Sequence, residues 1–407
     1  MTKNTLVKAD TLSVTGDIFI ETGAELAINA GTTVLFEGPY EIEVEGSLRA
    51  KGTAAERIIF TSFKPSPVDD YLDQGSSWKG IVFDKTLSTN DSSIFEYCVF
   101  EYAKTIDTAS VKMKDYLGGA LFVNRFSKLY IENSIFRYNT AFYGSAIAAV
   151  NGCQIRINNN LFYSNYAYNN GPAAYLVNSY PYIYNNTIID NVITDLNPDY
   201  QMGVIYAFRS KPYLENNIIR DNATGAFPQV YFYKEFYMRY NNISGFSGFN
   251  GNIDKDPLFD SGGEFPGMLT KSSPCIDAGT EGIYISQPLY DLAGNFRTIN
   301  GITDIGAFED QTANSIENQP QSAQILKIYP NPANPSAKII FSAEKPGSAE
   351  ITVYGIKGDK VLQFRREIKK AGEVKADIDM IEHTAGLYFV KVKVDNNVMT
   401  GKFLLIK

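Results

Sequence analysis

A nine-residue frame recurs along the middle of this chain and limits what it can fold into. The frame reads apolar, variable, Asn, polar, apolar, apolar, variable, variable, Asn, and its clear copies occupy residues 131–139, 157–165, 183–191 and 214–222. These copies start 26, 26 and 31 residues apart (157−131, 183−157, 214−183), and weaker copies start at Ile94 and Met238. Because a unit this short cannot enclose a core alone, its copies must stack as coils of a solenoid.

Each frame is followed by a second apolar run rich in β-branched and aromatic residues. These runs cover residues 120–123, 146–150, 174–177, 204–208 and 230–233. Short runs of this composition between Gly, Asn and Asp turns are typical of strands. Equivalent strands stacked in parallel predict an all-β, right-handed parallel β-helix, since parallel crossovers are right-handed.

The asparagines that recur in the frame have a predicted role within each coil. Asparagine tolerates left-handed backbone at corners, and identical amides on successive coils can bond to each other as a ladder. The third and ninth frame positions carry Asn133, Asn159, Asn185 and Asn216, and Asn139, Asn165, Asn191 and Asn222. Apolar residues at positions five and six are expected to form interior columns. Cys98 falls at position five of the first weak copy and is predicted to be a buried filler.

The solenoid is expected to begin near the start of the chain. Residues 18–20 and 42–44 have the same pattern 24 residues apart (42−18), residues 31–36 are echoed by 57–62, and residues 78–83 open a further turn. The loops at residues 63–77 and 104–114 are predicted to leave the solenoid laterally.

Composition excludes several classes of protein. The net charge of −8 and the pI near 5.0 argue against nucleic-acid binding. No apolar run approaches the ~20 residues of a membrane span, and three widely spaced cysteines form no metal-ligand pattern. The first residues lack the apolar core of a signal peptide, so export predicts a numbering that begins after such a peptide.

After the last weak copy, four motifs follow one another in order. They are Asp254-Lys255-Asp256-Pro257, Ser273-Pro274-Cys275-Ile276-Asp277, Asp291-Leu292-Ala293-Gly294-Asn295 and Asp304-Ile305-Gly306-Ala307-Phe308-Glu309. This set resembles the closing segment of secreted bacterial right-handed β-helix proteins of the pectate-lyase-like type. The resemblance implies a C-terminal cap over about residues 250–310, within a β-helix domain of residues 1–310. Calcium is a candidate ligand of Asp254 and Asp256, but turn formation and pairing with Arg297 are favoured for these acids.

A different composition begins after the cap. Residues 311–324 are polar and predict a linker. Seven short apolar runs then predict a small immunoglobulin-like β-sandwich over residues 325–407.

The sequence of this second domain carries a recognisable set of motifs. They are Tyr329-Pro330-Asn331-Pro332, residues 349–358, Ala385-Gly386-Leu387-Tyr388-Phe389, and the ending Lys402-Phe403-Leu404-Leu405-Ile406-Lys407. The set resembles the C-terminal sorting domain of type IX secretion substrates. The resemblance implies a sorting signal at Pro330, Asn331, Pro332, Gly386, Leu387, Tyr388, Lys402 and Lys407, with the secretion machinery as a partner. An adhesion module of immunoglobulin type is the alternative.

Candidate catalytic residues are few in the solenoid. The single histidine, His383, lies in the second domain, so the solenoid has no histidine for a triad or a zinc site. Asp190 and Asp221 share the eighth frame position and should lie one strand spacing apart, where one carboxyl pKa would rise or a cation would bind. Arg220, Arg209 and Lys211 follow nearby in sequence and could neutralise uronates. Asp–Asn pairs are also common at coil corners, which is the competing interpretation.

Tyrosines offer a second candidate site. Alternation along residues 230–233 places Tyr231 and Tyr233 on one face, and Tyr206 of the preceding coil can join them. Aromatic rows on an extended face suit a sugar polymer, although tyrosine also covers sheet faces without binding anything.

Together these observations predict a secreted, surface-delivered β-helix protein that binds a glycan or a cell-surface partner without catalysis. Two alternatives stay open. One is a polysaccharide lyase or glycoside hydrolase acting on an acidic polysaccharide, and the other is a structural stalk or spacer. No cofactor other than calcium is suggested by the residues.

Overall fold

The coils of the first part of the chain are built from short strands that pair in parallel with the equivalent strands of neighbouring coils. The chain divides into two units, Met1–Ala313 and Asn314–Lys407. The computed structural model describes residues 1–65, 77–195, 197, 199, 201–233, 235–280, 289–299, 302–311, 326–329, 331, 333–343, 345–355, 359–370, 372–394 and 397–406.

The described residues of the first unit form four parallel sheets along the solenoid, and we number them 1 to 4. Sheet 1 contains Thr5–Val7, Glu25–Ile28, Ser47–Lys51, Ser93–Glu96, Leu129–Glu132, Arg156–Asn158, Tyr182–Tyr184, Tyr213–Glu215 and Tyr237–Arg239. Sheet 2 contains Thr11–Val14, Thr33–Phe36, Ile58–Ser62, Cys98–Glu101, Ile135–Arg137, Leu161–Tyr163, Thr187–Ile189, Ile218–Ile219 and Asn242–Ile243. Sheet 3 contains Ile18–Ile20, Ile42–Val44, Ile81–Phe83, Leu121–Asn124, Ile147–Val150, Ala174–Val177, Ile205–Phe208 and Val230–Phe232. Sheet 4, between sheets 2 and 3 in each coil that has it, contains Lys104–Thr105, Thr140–Tyr143, Tyr166–Asn170 and Val192–Ile193.

The nine-residue frame forms the corner between sheets 1 and 2. Its first residue is interior, and its sixth residue forms a second interior column in which Phe60, Phe100, Phe136 and Phe162 stack with centroids 5.0, 4.6 and 4.8 Å apart. The expected parallel solenoid is confirmed, with equivalent frame residues paired between coils. The second apolar runs predicted from the sequence form sheet 3.

The prediction that frame position five faces the interior is wrong. Val99, Ile135 and Leu161 point outward from sheet 2 and belong to a separate apolar cluster with Leu292 and Phe308. Alternation along a strand requires this, because position six is interior and its neighbour must face the other way.

The assignment of Cys98 within the frame also needs correction. Phe95, not Ile94, pairs with Ile131, so the first weak copy starts one residue later than the sequence suggested. Cys98 therefore aligns with Ser134, whose hydroxyl oxygen accepts its backbone N–H at 3.0 Å. The cysteine is fully buried, as predicted.

Two asparagine ladders run through the interior. At position nine, side-chain bonds of 2.9, 2.9 and 2.8 Å connect Asn139, Asn165, Asn191 and Asn222. A second ladder connects Asn160, Asn186, Asn217, Asn241 and Asn252 with bonds of 3.1, 2.9, 2.9 and 3.0 Å. The second ladder occupies position four, whereas the position-three asparagines form left-handed corners with φ between 51° and 61°. Both roles proposed for asparagine are present, and position three has both, because Asn159 also donates to Asn133 Oδ1 and Asn216 to Asn185 Oδ1.

Residues 250–310 were expected to cap the end of the solenoid, and we call the described residues between 253 and 310 the return segment. The segment begins at the last coil, where Ile253 bridges Asn242, and then lies along the outer face of sheet 2. The Ala307 amide donates to Thr187 Oγ1 at 2.9 Å, and the Tyr97 hydroxyl donates to the Asp291 carbonyl at 3.1 Å. The apolar position-five column is covered by this segment along most of its length.

A fully buried arginine holds the return segment together. Arg297 donates to the carbonyls of Asp304 and Gly306 at 2.7 Å and lies 3.7 Å from the Glu309 carboxylate. Burial raises the pKa of Glu309 to about 8 and that of Asp304 to about 6. The folded protein therefore keeps protons on these groups that the unfolded chain releases at lower pH.

We expect the stability of the β-helix to fall between pH 5 and pH 8. A raised folded-state pKa means that the stabilisation is present below the ordinary value of 4.5 for Glu309 and is lost as the pH rises towards 8. Fluorescence of the buried Trp78, the chain's one tryptophan, would follow urea unfolding of this unit alone. Glu309→Gln, which imitates the protonated side chain, should make the pH dependence shallower. An unchanged slope in Glu309→Gln would contradict this assignment.

The second unit is a sandwich of two antiparallel sheets. One sheet contains Lys327–Tyr329, Ser336–Ala343 and Gly372–Asp379, and the other contains Lys360–Ile368, Gly347–Tyr354, Gly386–Val394 and Asn397–Leu405. Ile339, Phe341, Val392 and Phe403 are among the side chains of its core. The seven predicted runs all form strands, and the predicted all-β fold of a β-helix followed by a small β-sandwich is confirmed.

Candidate functional site

A stack of tyrosine rings lies on the outer face of sheet 3. Tyr175, Tyr206 and Tyr231 occupy paired positions on successive coils, with ring centroids 5.3 and 5.1 Å apart. Tyr143 of sheet 4 extends the stack, with its centroid 4.9 Å from that of Tyr175. Both faces of Tyr206 are covered by its neighbours, so this ring presents its edge and hydroxyl rather than a face.

A cavity of about 320 Å³ opens beside this stack, between sheets 3 and 4. Aromatic, amide and acidic side chains line it: Phe142, Tyr143, Asn169, Asn170, Tyr175, Asp195, Gln201 and Tyr206. Such a mixture of apolar walls and a few polar groups is typical of ligand pockets.

Glycines at the turn between sheets 4 and 3 make this cavity possible. Gly144 and Gly171 have φ of 69° and 65°, in the left-handed region that favours glycine. A Cβ on Gly144 would lie 2.9 Å from the Cβ of Tyr175. The chain can therefore turn sharply and place the sheet 4 aromatics against the stack.

Some polar side chains of the cavity are hydrogen-bonded to other residues, whereas the carboxylate of Asp195 is not bonded to any described residue. Asn170 donates to Asn169 Oδ1 at 2.7 Å and accepts the Gly203 amide at 3.2 Å, so it fixes the cavity wall. The Asp195 amide donates to the Tyr168 carbonyl at 2.7 Å. The Asp195 carboxylate is half-buried. No described residue donates a hydrogen bond to it or forms an ion pair with it.

Burial keeps two of the cavity tyrosines, Tyr175 and Tyr206, protonated. Desolvation, together with the neighbouring tyrosines, raises the pKa of both Tyr175 and Tyr206 above the ordinary value of 10.0. Their hydroxyls are therefore neutral hydrogen-bond donors and acceptors at physiological pH. Among the described lining residues, Asp195 is the one charged group.

Tyr231 and Tyr233, predicted with Tyr206 as a binding row, lie outside the described lining. Tyr231 continues the stack, and the exposed Tyr233 contacts Phe208 with centroids 4.7 Å apart. Tyr175 was missed, although its place in the second apolar run is the same as that of Tyr206. The sheet 4 residues and Asp195 lie between frames, where the sequence carries no periodic signal.

Asp190 and Asp221 lie on neighbouring coils, as the frame predicts. The Asp190 amide donates to the Asp221 carbonyl at 3.2 Å, and both residues have left-handed φ of 54° and 55°. Partial desolvation and then the charge of Asp221 raise the pKa of Asp190, although much of this residue remains exposed. Tyr138 and Ser164 have the same backbone conformation at this frame position, which favours a corner role for the two acids.

The basic candidates are not gathered around these acids. Arg220 pairs with Asp254, and Lys211 pairs with Glu235 at 2.8 Å. Arg209 and Lys211 lie at the corner after sheet 3, whereas Asp190 and Asp221 lie at the corner after sheet 2. A single site made from all five residues is therefore not formed.

A second polar cluster lies on the outer face of sheet 2. The guanidinium of Arg137 contacts the Glu101 carboxylate at 2.7 Å and donates to the Tyr163 hydroxyl at 3.0 Å. Burial still raises the pKa of Tyr163, so this tyrosine is a poor base. The arginine is already paired, and the cluster joins three neighbouring coils.

A second cavity, of about 260 Å³, lies where the lateral loop after residue 104 meets sheet 3. Its polar lining includes Glu43, Asp84, Lys85 and Lys112. Lys114, from a 3-10 turn at Met113–Asp115, fills its wall and bonds to both Glu41 and Glu43. These pairs link the loop to the sheet.

The two acids considered as calcium ligands, Asp254 and Asp256, instead bond to other residues of the fold. Asp254 pairs with Arg220 and accepts the Gly245 amide at 2.9 Å, and Asp256 accepts the Leu258 amide at 2.9 Å. In the ranges that the structure describes, no three His, Cys, Asp or Glu side chains are grouped as metal ligands would be.

The predicted sorting residues come together where they are described. Asn331 Nδ2 donates to the Lys402 carbonyl at 3.3 Å, and its Oδ1 accepts the Leu404 amide at 2.9 Å. Leu387 pairs with Leu404 and Tyr388 with Phe403 in the adjacent strand. Gly386 begins the strand Gly386–Val394, which contains Leu387 and Tyr388, while Pro330, Pro332 and Lys407 lie outside the described residues.

Comparison with known families agrees with both units. Residues 119–252 match the model of the right-handed β-helix region, and residues 327–407 match that of the secretion system C-terminal sorting domain. The chain is a right-handed β-helix with a secretion sorting domain. No curated protein matches the sequence.

The sorting domain decides where the β-helix protein is delivered. A domain of this family directs type IX secretion, so the protein is exported to the outside or to the cell surface and interacts with the secretion machinery. Across the described residues, no helix has the length and hydropathy needed to cross a bilayer.

Proposed function

We propose that the exported β-helix binds glycans in the cavity between sheets 3 and 4 and does so without catalysis. The observation that carries the proposal is the lining of this cavity, in which four aromatic rings meet three amides and one carboxylate. Sugar rings have apolar C–H faces and hydroxyl rims, so they require both kinds of surface.

The fixed geometry of the cavity supports recognition of a polymer. Its walls come from successive coils of sheets 3 and 4, and the stack that borders it continues along the solenoid to Tyr231. A wall built on strands holds its side chains in place, which reduces the ordering cost of binding.

The chemistry of the lining favours binding over cleavage. Glycoside hydrolysis needs two carboxyl groups across the scissile bond, and the described lining contains Asp195 alone. Lysis of an acidic polysaccharide needs a cation for the uronate and a base, and Arg137, Arg220 and Lys211 are paired elsewhere.

Replacing Tyr206 by Ala should strongly weaken binding of any glycan that the purified protein retains on an oligosaccharide array. Loss of the ring removes a wall of the cavity and the support of Tyr175, a cost of about 1–3 kcal/mol in aromatic contact. Tyr182→Ala is the matched control, because Tyr182 belongs to a similar stack with Tyr213 on sheet 1, 5.1 Å between centroids. If Tyr206→Ala and wild type gave the same array profile, the cavity would not be the binding site.

A further inference from the structure

We infer that this cavity selects sugars bearing an ammonium group, such as unacetylated hexosamine units, over neutral sugars and uronic acids. The inference rests on the proposed glycan-binding function and names the class of glycan. It starts from the observation that the Asp195 carboxylate and the tyrosine stack line the same cavity.

Asp195 supplies the negative charge that an ammonium group would pair with. The carboxylate is half-buried, and no described side chain or amide already bonds to it. A charge-assisted hydrogen bond to a partly desolvated carboxylate is stronger than one between neutral groups. The carboxylate therefore favours a cationic ligand over a neutral one.

The tyrosines of the cavity suit the rest of the same sugar. Tyr175 and Tyr206 line the cavity with their edges and hydroxyls, because their neighbours in the stack cover both faces of each ring. Because burial keeps Tyr175 and Tyr206 protonated, their hydroxyls can also bond to the neutral hydroxyls of the same sugar.

Uronic acids are disfavoured by the same lining. Their carboxylates would face Asp195, and no lysine or arginine is among the described lining residues to offset the repulsion. Arg209 and Lys211, the basic residues next in sequence to Tyr206, lie beyond the strand at the following corner. The net charge of −8 also attracts cationic polymers at a distance.

Calorimetry on the full chain with three β-1,4-linked oligosaccharides of equal length, and with galacturonic acid oligomers as a fourth ligand, would test this selectivity. Glucosamine, N-acetylglucosamine and glucose oligomers share a backbone and differ at one substituent, and galacturonic acid oligomers supply the opposite charge. We expect the cationic glucosamine oligomer to bind on the order of tenfold more tightly than the neutral N-acetylglucosamine and glucose oligomers. Asp195→Asn should remove that advantage, so that this variant binds the glucosamine oligomer no more tightly than it binds the neutral oligomers.

Asp199→Asn is the matched control, since Asp199 is an exposed acid near Asp195 that is not among the described lining residues. Equal affinities for all three series, or preference for galacturonic acid, would overturn the selectivity and leave the proposed function standing. Binding of no oligosaccharide would overturn both. Asp195-dependent binding of an oligolysine peptide without binding of any sugar would also overturn both, because the ligand would then be a protein.

Discussion

Replacing Asn186 by Asp should destabilise the β-helix by at least about 3 kcal/mol at pH 8. Asn186 is fully buried in the position-four ladder, where Nδ2 donates to the Ile157 carbonyl and to Asn217 Oδ1. Its Oδ1 accepts the amide and side chain of Asn160. An aspartate keeps the acceptor but loses both donors, and its charge would lie against two oxygens without solvent.

The same substitution should be less costly at pH 5, because a protonated aspartate regains one donor and burial raises its pKa. Urea unfolding followed by Trp78 fluorescence at the two pH values measures both effects. Asn151→Asp is the matched control, since Asn151 is an exposed corner residue with φ of 63°. A loss in Asn186→Asp no larger than in Asn151→Asp would show that the ladder contributes little.

The solenoid was predictable because its coils repeat the same local rules. Alternating apolar residues, left-handed asparagines and amide ladders recur at spacings that the sequence displays directly. The error at position five has a physical cause. Ile135 is apolar because the return segment buries it, and the contact between Ile135 and the cluster of Leu292 and Phe308 spans more than one hundred residues (292−135). Periodicity within a coil cannot distinguish an interior column from an outer column that another segment covers.

The candidate site was less predictable for a related reason. Tyr206 belongs to a repeated position, so the sequence drew attention to it. Asn169 and Asp195 acquire their roles only because the glycine turns fold sheet 4 against sheet 3. The acids that did repeat, Asp190 and Asp221, owe their spacing to the corner conformation. In this protein the periodic residues build the scaffold, and the cavity depends largely on residues that break the period.

Removing residues 325–407 should abolish surface delivery while leaving the β-helix folded. The β-helix, its ladders and the return segment lie within the unit Met1–Ala313, so their contacts do not depend on the deleted strands. The deleted region contains the sorting domain that directs type IX secretion. We expect the truncated protein to accumulate in the periplasm and to be inaccessible to protease added to intact cells.

A single substitution in the sorting domain should show whether the sorting signal depends on the contact between the start of the domain and its last strand. Asn331→Ala removes the two side-chain bonds that connect the start of the sorting domain to the last strand, Asn397–Leu405, which lies at the edge of its sheet. We expect export to fall severalfold, because the sorting signal then includes a loosened edge strand. Lys360→Ala is the matched control on the opposite edge strand, Lys360–Ile368. Normal export of the truncated chain would refute the sorting role, and normal export of Asn331→Ala alone would show that the signal does not require this clamp.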